Sequence, residues 1–593
     1  MHYHTLLKRF FFLIILQASV AFGAPTITSI SPNFGPASGG NTVMITGSGF
    51  TGATAVDFGS RPATFIVLSD TSIAVLPPTS AAGEADVTVT TPSGTSAISC
   101  NDRYIYQGNW FAYFTNTGDN MVFPINLTTN TVGTPFAVSS PTLAIAITPN
   151  GQTAVVLHTG LASTSIVDLA TNTVIQTLNA AQTKDVAITP DGSSAYMTQT
   201  GALTQIILSN PATIGNSLAI PAAQLLAITP NGQFAYVTTS ADTVVVVNLA
   251  SNTIAATIPV GTTPQGIAIT PNGQFAYVAN DLSNDVSVID TASNTVIATI
   301  PVGTNPFGVA ITPDGQLAFV ANTTDNSVSV ISIATQSVIA TIPTSGTTPL
   351  NVAITPDGKT AYVTETNSSD VLPIDISTLT AGTPITAPGT FPDSIAITPD
   401  QAPFASFTFT SPDTFDASSS VTPVGSIASY SWNFGDGQTL VTISPIVTHM
   451  YATNGAFTVT LTVTNTAGTS TTQTFTGPTA SNNGGPCATT TRTITISASV
   501  IPPSMFVGKA IKNRFATQTD LINKLTWTPS SDPSVVAYLI LRNGVLIAEI
   551  PASGPFVYLD HNRRKCSVDT YELIAVNAEG VQSTPLFTTV TRR

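Results

Sequence analysis

Gly266-Ile-Ala-Ile-Thr-Pro-Asn-Gly-Gln-Phe-Ala-Tyr-Val-Ala-Asn280 is the stretch from which the architecture of this chain is read. Gly266–Thr270 is a short run of strand-forming residues. Pro271-Asn272-Gly273 follows, and its Asn-Gly pair supplies the positive φ that a tight hairpin needs. Phe275–Ala279 makes the returning strand. Further out come the loop Asn280–Asn284, the run Val286–Asp290, the turn Ala292-Ser293-Asn294 and the run Val296–Pro301. These make four short strands in succession, with no helical periodicity between them.

The unit recurs along the chain. Ala-Ile-Thr-Pro-Asp/Asn has its Ala at positions 146, 187, 227, 268, 310, 353 and 396, at intervals of 41, 40, 41, 42, 43 and 43 residues. Ala-Tyr-Val or a close variant begins at Ala112, Ala154, Ala195, Ala235, Ala276, Ala318 and Ala361. One four-stranded unit of this size cannot bury enough apolar surface alone, whereas seven stacked radially can. A four-stranded repeat of roughly 40–45 residues is the signature of a β-propeller. Ala112 has no Ala-Ile-Thr-Pro before it, and Ala396 has no partner string after it. One blade therefore takes three strands from Trp110–Val138 and its inner strand from Ser394–Thr398, which closes a seven-bladed ring without an open edge. The repeats resemble the YVTN-type β-propeller family of microbial surface-layer and cell-surface proteins. The naming motif survives as Tyr236-Val-Thr-Thr239, Tyr277-Val-Ala-Asn280 and Tyr362-Val-Thr-Glu365, and the match covers residues 110–400. That resemblance implies a fold and no single activity.

Composition agrees with an all-β, exported chain. Of 593 residues only 8% are charged, against about 25% in an ordinary soluble domain. The formal charge of −14 argues against a nucleic-acid partner, which needs a basic footprint. Between Tyr104 and Thr491 only Lys184 and Lys359 are basic, while residues 110–400 hold 16 acidic residues, most of them Asp at repeated turns. Lys8 and Arg9 precede the apolar run Phe10–Leu16, and Ala21-Phe22-Gly23 offers small residues for cleavage, so residues 1–23 read as a secretory signal peptide. That run is too short for a membrane anchor, and no transmembrane segment is expected after cleavage. The expected location is the cell surface, the periplasm or the extracellular space.

Residues 24–108 resemble an immunoglobulin-like IPT/TIG domain through Pro25–Pro32, Val43–Phe50 and Val56-Asp-Phe-Gly59. Gly47, Gly49 and Gly52 spell G-x-G-x-x-G, but a strand rather than a helix follows, so they read as a β-turn and not a dinucleotide site. Residues 109–401 form the propeller. Residues 402–498 resemble a PKD-type β-sandwich through Phe415-Asp-Ala-Ser418, Trp432-Asn-Phe-Gly-Asp-Gly437, Tyr451 and Phe457–Val463, with Trp432 as core and Gly435-Asp436-Gly437 as a turn. The insertion Gly477–Cys487 departs from the compact PKD pattern. Residues 499–593 resemble a fibronectin type III domain through Trp527, Tyr538 and Tyr571–Asn577, and the resemblance implies a corner hydrogen bond for Tyr571. The basic cluster Arg563-Arg564-Lys565 reads as a solvated loop or a dock for an acidic partner.

Little in the sequence points to catalysis. No G-x-S-x-G, H-E-x-x-H or Walker-type motif occurs. The histidines of the mature chain, His158, His449 and His561, stand apart; His158 takes the fourth place of its strand, the one Ala279 and Ala321 hold elsewhere. Asp416 and Asp436 fall short of the six to eight oxygens of a calcium site, so no metal or cofactor is expected beyond weak Ca2+ binding. Cys100, Cys487 and Cys566 form no metal-ligand spacing and read as isolated small residues. Export permits one disulfide, the odd count leaves a thiol over, and whether Cys487 and Cys566 pair stays open.

The repeat does show where recognition would lie. One end of the ring carries the near-uniform Thr-Pro-Asp/Asn-Gly turns, with Lys359. The other carries loops of varied length and, just before each inner strand, Leu143, Lys184, Gln224, Gln265, Phe307, Leu350 and Asp393, which should ring the channel mouth. Variation at one end of a rigid scaffold is the pattern of a binding face, or of unconstrained positions. The expectation is a noncatalytic surface or envelope adhesion protein that takes protein or glycan ligands on this face. The alternatives are a secreted lactonase- or lyase-like propeller enzyme and an envelope-assembly scaffold; the oligomeric state is open.

Overall fold

In the central repeat the expected runs become antiparallel strands Pro264–Ile269, Phe275–Asn280, Asp285–Asp290 and Thr295–Pro301, paired in that order from the inside out. The computed structural model describes residues 23–592 apart from 160–162, 181–182, 387, 411–412, 478–479, 497–499, 515–518 and 579. The expected signal peptide, up to its last residue, lies outside the described residues. No α-helix occurs among the described residues, and the architecture is all-β.

The hairpin chemistry is the one the sequence dictates. Thr270 Oγ1 donates to Asn272 Oδ1 at 2.7 Å and accepts from the Phe275 amide at 3.0 Å, while Gly273 turns the chain at φ +72°. Thr148, Thr189, Thr229, Thr312 and Thr355 make the same contact to the Asx two residues on. Each buried strand reads as a near-continuous apolar run because it is covered on both faces by neighbouring blades. Tyr277, Ala279, Val286 and Val288 of one blade, for instance, pack against Val309, Ile311, Ala318 and Val320 of the next.

Each inner strand lies beside the next, and the last lies beside the first, so seven sheets close the ring. Closure uses both ends of the segment: Pro392–Ile397 pairs with Phe111–Asn116, with Ala396 opposite Tyr113. The ring is a seven-bladed β-propeller. Its seventh Thr-Pro-Asx string has Gln401 where the others have glycine, and there the chain leaves the ring. Asp400 and Gln401 pair in parallel with Asn482 and Asn483 instead of turning back.

Before the propeller, Thr26–Ser31, Val43–Ser48, Ser72–Leu76 and Thr64–Ser69 form one sheet, and a second sheet is built around Gly83–Thr91. Gly49 and Gly52 adopt positive φ in a turn, with the Asp70 carboxylate accepting from the Gly49 and Thr51 amides. After the propeller, Ile427–Asn433 lies between Thr439–Thr442 and the strand that ends at Asn465. Trp432 is fully buried there against Phe407, Phe415 and Phe434.

The chain divides into two compact units. One holds the described residues up to Phe409 with Phe415–Val447 and Thr460–Thr491; the other holds Thr410–Thr414, Thr448–Val459 and the residues from Arg492 onward. In the second unit, three- and four-stranded sheets enclose Trp527, Tyr538, Tyr571 and Leu573. The Tyr571 hydroxyl does not make the expected backbone corner bond. It donates to Asp560 Oδ2 at 2.6 Å and accepts from Asn523 Nδ2 at 2.8 Å, because two buried polar side chains reach it first. Arg563, one of the basic cluster, is tied to Asp560 at 3.4 Å.

Two further expectations are corrected. Cys100 and Cys487 are not isolated residues, and the pairing of Cys487 that the sequence leaves open is with Cys100 rather than Cys566. Cys487 is bonded to Cys100, with Cα atoms 5.6 Å apart, and Cys566 is an exposed free thiol. Each partner sits on a single short helical turn, Cys100–Asp102 and Pro486–Ala488. The register also moves His158: it faces Thr142 as Asn280 faces Pro264, so it holds the place of Asn280 and Asn322, not that of Ala279 and Ala321.

Candidate functional site

All seven mouth residues line one cavity of about 430 Å³ at the loop end of the channel. They lie within the inner strands rather than before them, since each strand begins one or two residues earlier than its hydrophobic run suggests. A register irregularity spans the mouth residue in all seven inner strands. It turns three successive positions of every inner strand toward the channel.

Threonines of the second strands fix the mouth from behind. Thr115 Oγ1 donates to the Leu143 carbonyl at 2.9 Å, Thr238 to Gln265 at 3.0 Å, and Thr364 to Asp393 at 2.7 Å, each reaching into the following blade. With Thr198, which donates to the Gln224 carbonyl, four of the seven mouth carbonyls are held by bonds between blades; Leu157, Ala279 and Ala321 take the threonine's place behind the other three. The next position inward also bridges blades. Asp185 Oδ2 accepts from the Leu226 amide at 3.0 Å, and Asn351 Nδ2 donates to the Asp393 carbonyl at 3.2 Å. Gly266 and Gly308 stand at this level where a Cβ would meet the carbonyl oxygen of Phe307 at 2.2 Å and of Leu350 at 2.5 Å.

The electrostatics of the cavity are set by burial. Asp185, which the repeat pattern alone does not single out, has its carboxyl pushed up to about 6 by burial, against hydrogen bonds from the Leu226 and Val186 amides. Burial, with the Asp185 charge added, pushes Asp393 up to about 7. Burial lowers Lys184, whose Nζ donates to Gln224 Oε1 at 2.7 Å rather than to a carboxylate. Among the described residues no hydrogen bond reaches the Asp393 carboxyl or the Gln265 side-chain amide.

The opposite end of the channel is stopped by the chain itself. Thr476 and Gly477, where the Gly477–Cys487 insertion begins, present carbonyls to the free inner edges of two blades: Ile228 N donates to Gly477 O at 3.0 Å and Ile269 N to Thr476 O at 3.4 Å. Phe475 and Ala480 pack with Leu226, Ile228, Ala235 and Val237. Gln473 Nε2 donates to the Pro190 carbonyl at 2.8 Å, and Gln401 Nε2 to Pro149 at 2.7 Å. Asp400 accepts from Trp110 Nε1 at 3.0 Å and Asn465 Nδ2 at 2.6 Å, and burial pushes it up to about 6.

The remaining titratable groups do not converge on the cavity. His158 is buried, with Nδ1 3.0 Å from the Ser140 carbonyl and Nε2 2.9 Å from Ser165 Oγ; burial holds its pKa low. Glu365 occupies the equivalent buried place at the end of strand Thr360–Glu365, where burial and neighbouring Asp370 push it up to about 7. Asp416 and Asp436 are both used in local turns, to the Ser418 and Gln438 amides. No group of three or more His, Cys, Asp or Glu among the described residues has metal-holding geometry.

Known families match in three places: the IPT/TIG domain over residues 25–106, the seven-bladed β-propeller of lactonase type over 221–382, and the PKD domain over 398–477. The chain thus contains these three kinds of domain, and IPT/TIG and PKD domains fit a surface or adhesion-type protein. Similar solved structures include a protein of unknown function from Desulfotomaculum acetoxidans DSM 771, with 19% identity, TM-score 0.45, and coverage of 49% of this chain and 99% of that one. Hydrazine synthase of Kuenenia stuttgartiensis matches at 21% identity and TM-score 0.40, covering 44% and 90%. A Bacteroides fragilis NCTC 9343 protein provisionally described as a 6-phosphogluconolactonase matches at 15% and 0.43, covering 49% and 98%. No curated protein sequence matches the chain.

Proposed function

We propose that the protein is an exported cell-surface or envelope binding protein, whose ligand is a protein or glycan recognised on the loop face of the propeller. The observation that carries the reading is the cavity itself. Seven side chains of five types, apolar, polar, basic and acidic, occupy one repeat position around one opening, and four of them stand on backbone held by threonine bonds between blades. In this reading the repeats are of the YVTN type and the C-terminal two-sheet module is fibronectin type III-like. The experiment is cell fractionation to place the protein, followed by a glycan and protein array with the full chain and its K184E and D393K variants. Array ligands should be lost or weakened in both variants; binding that neither variant alters refutes the mouth as the recognition site.

A second reading has one observation in its favour. Asp185 and Asp393 share the cavity with pKa values raised into the range of a general base or acid. With the lactonase-type match, this supports hydrolysis of a sugar lactone. No histidine lines the cavity among the described residues. Lactone hydrolysis that disappears in D393N would favour the enzyme over the adhesion reading.

A further inference from the structure

We propose that the stopped channel is a one-ended cup for a neutral, hydroxyl-rich ligand of mono- or disaccharide size, and that it discriminates against phosphorylated sugars. The inference rests on the loop face being a recognition surface and names the ligand class of that surface.

The shape of the channel comes first. The described residues around Thr476 and Gly477 close the turn end, and a void of about 60 Å³ lies between them and the inner strands of three blades they do not bond. A ligand therefore enters and leaves through the loop end alone. The 430 Å³ above lies within the roughly 300–1,000 Å³ range that houses small organic ligands.

The distribution of side chains around the opening comes second. In ring order Lys184, Gln224 and Gln265 make a polar arc, and Phe307 and Leu350 an apolar one that leads to Asp393. A sugar ring has the matching division, with C–H groups on its face and hydroxyls at its edge. Hydroxyls both donate and accept. The unbonded Gln265 amide and Asp393 carboxyl supply acceptors and donors in that combination, and Lys184 keeps two N–H donors after bonding Gln224.

Charge excludes the alternative. Lys184 is the only cation lining the cavity among the described residues, and two carboxylates line it as well. Among the described lining residues no arginine offers the planar fork that grips a phosphate. A sugar phosphate would exchange water for two carboxyl groups, which repel it whenever they are ionised, and one cation already engaged.

The test is saturation-transfer NMR with titration of the full chain by glucose, cellobiose, maltose, diacetylchitobiose and glucose 6-phosphate. At least one neutral sugar should bind, and F307A and Q265A should each weaken it by about tenfold or more, roughly 1.4 kcal/mol. Glucose 6-phosphate should bind more weakly than glucose, and melting curves of both variants should match the parent. Tighter binding of glucose 6-phosphate, unchanged affinity in both variants, or no binding of any neutral probe overturns the ligand class. The recognition-face reading is judged separately, on the array ligands and the K184E and D393K variants, so either can fail without the other.

Discussion

Replacing Gly477 with alanine tests whether the inserted segment stops the channel. Gly477 sits at φ +96°, and a Cβ there would lie 2.8 Å from the Ile269 amide nitrogen and 3.2 Å from its Cβ. Neither neighbour can yield, since both belong to a closed inner strand. The left-handed conformation costs a non-glycine residue about 1–2 kcal/mol. Displacing the segment also forfeits the hydrogen bonds from Ile228 and Ile269, at about 0.5–1.5 kcal/mol each. The segment should therefore detach more easily by about 2–5 kcal/mol, which is roughly 30- to 4,000-fold in its opening equilibrium. Hydrogen exchange reads this directly, because the Ile228 and Ile269 amides have that segment as their acceptor and should exchange faster by that factor. Gly468→Ala is the control: φ is +83° there, but nothing stands within 4 Å of the new Cβ, so it should leave both propeller amides protected. Equal exchange of Ile228 and Ile269 in G477A and the parent would refute the account of the plug.

Two other outcomes follow from buried groups. A non-reducing peptide map should join Cys100 to Cys487 and leave Cys566 open to alkylation in the native protein. C100S should lower the melting temperature, with an upper bound of about 6 kcal/mol from the loop entropy of 387 residues; a Cys487–Cys566 peptide refutes the pairing. Asp185, Asp393, Asp400 and Glu365 have folded pKa values of about 6, 7, 6 and 7, all above their ordinary values. Each binds a proton more tightly when folded, so unfolding free energy should fall as pH rises from about 5 to 8, by at most about 1.4 kcal/mol for each tenfold gain in a group's proton affinity on folding. Below about pH 4 the slope reverses, because hydrogen bonds hold carboxylates such as Asp168 and Asp191 low. Denaturant titrations across that range that show flat or rising stability contradict the assignment.

The ring was legible because a blade cannot stand alone, so every copy must repeat the same strands and turns. Position in the repeat then placed Lys184 and Asp393 at the mouth without any knowledge of the fold's detail. What escapes such a reading occurs once. Asp185 stands one residue further in, where the other copies carry Ala144, Leu225, Gly266, Gly308, Asn351 and Ser394; a lone acid at that level was the available signal. Aligning its strand by apolar run rather than by the partner it faces misplaces His158 by one residue. The segment at Gly477 and the Cys100–Cys487 bond join places hundreds of residues apart, and no local pattern encodes either contact.

That bond also divides mechanical loads. A pull along the chain runs to Cys100, crosses to Cys487 and continues, so everything between them hangs in a covalent side loop. The loop holds about 1,300 Å of contour that stretching cannot draw out while the bond is intact. A ligand seated in the cup would be insulated from strain along the backbone, and only a tug on the ligand itself would load the blades.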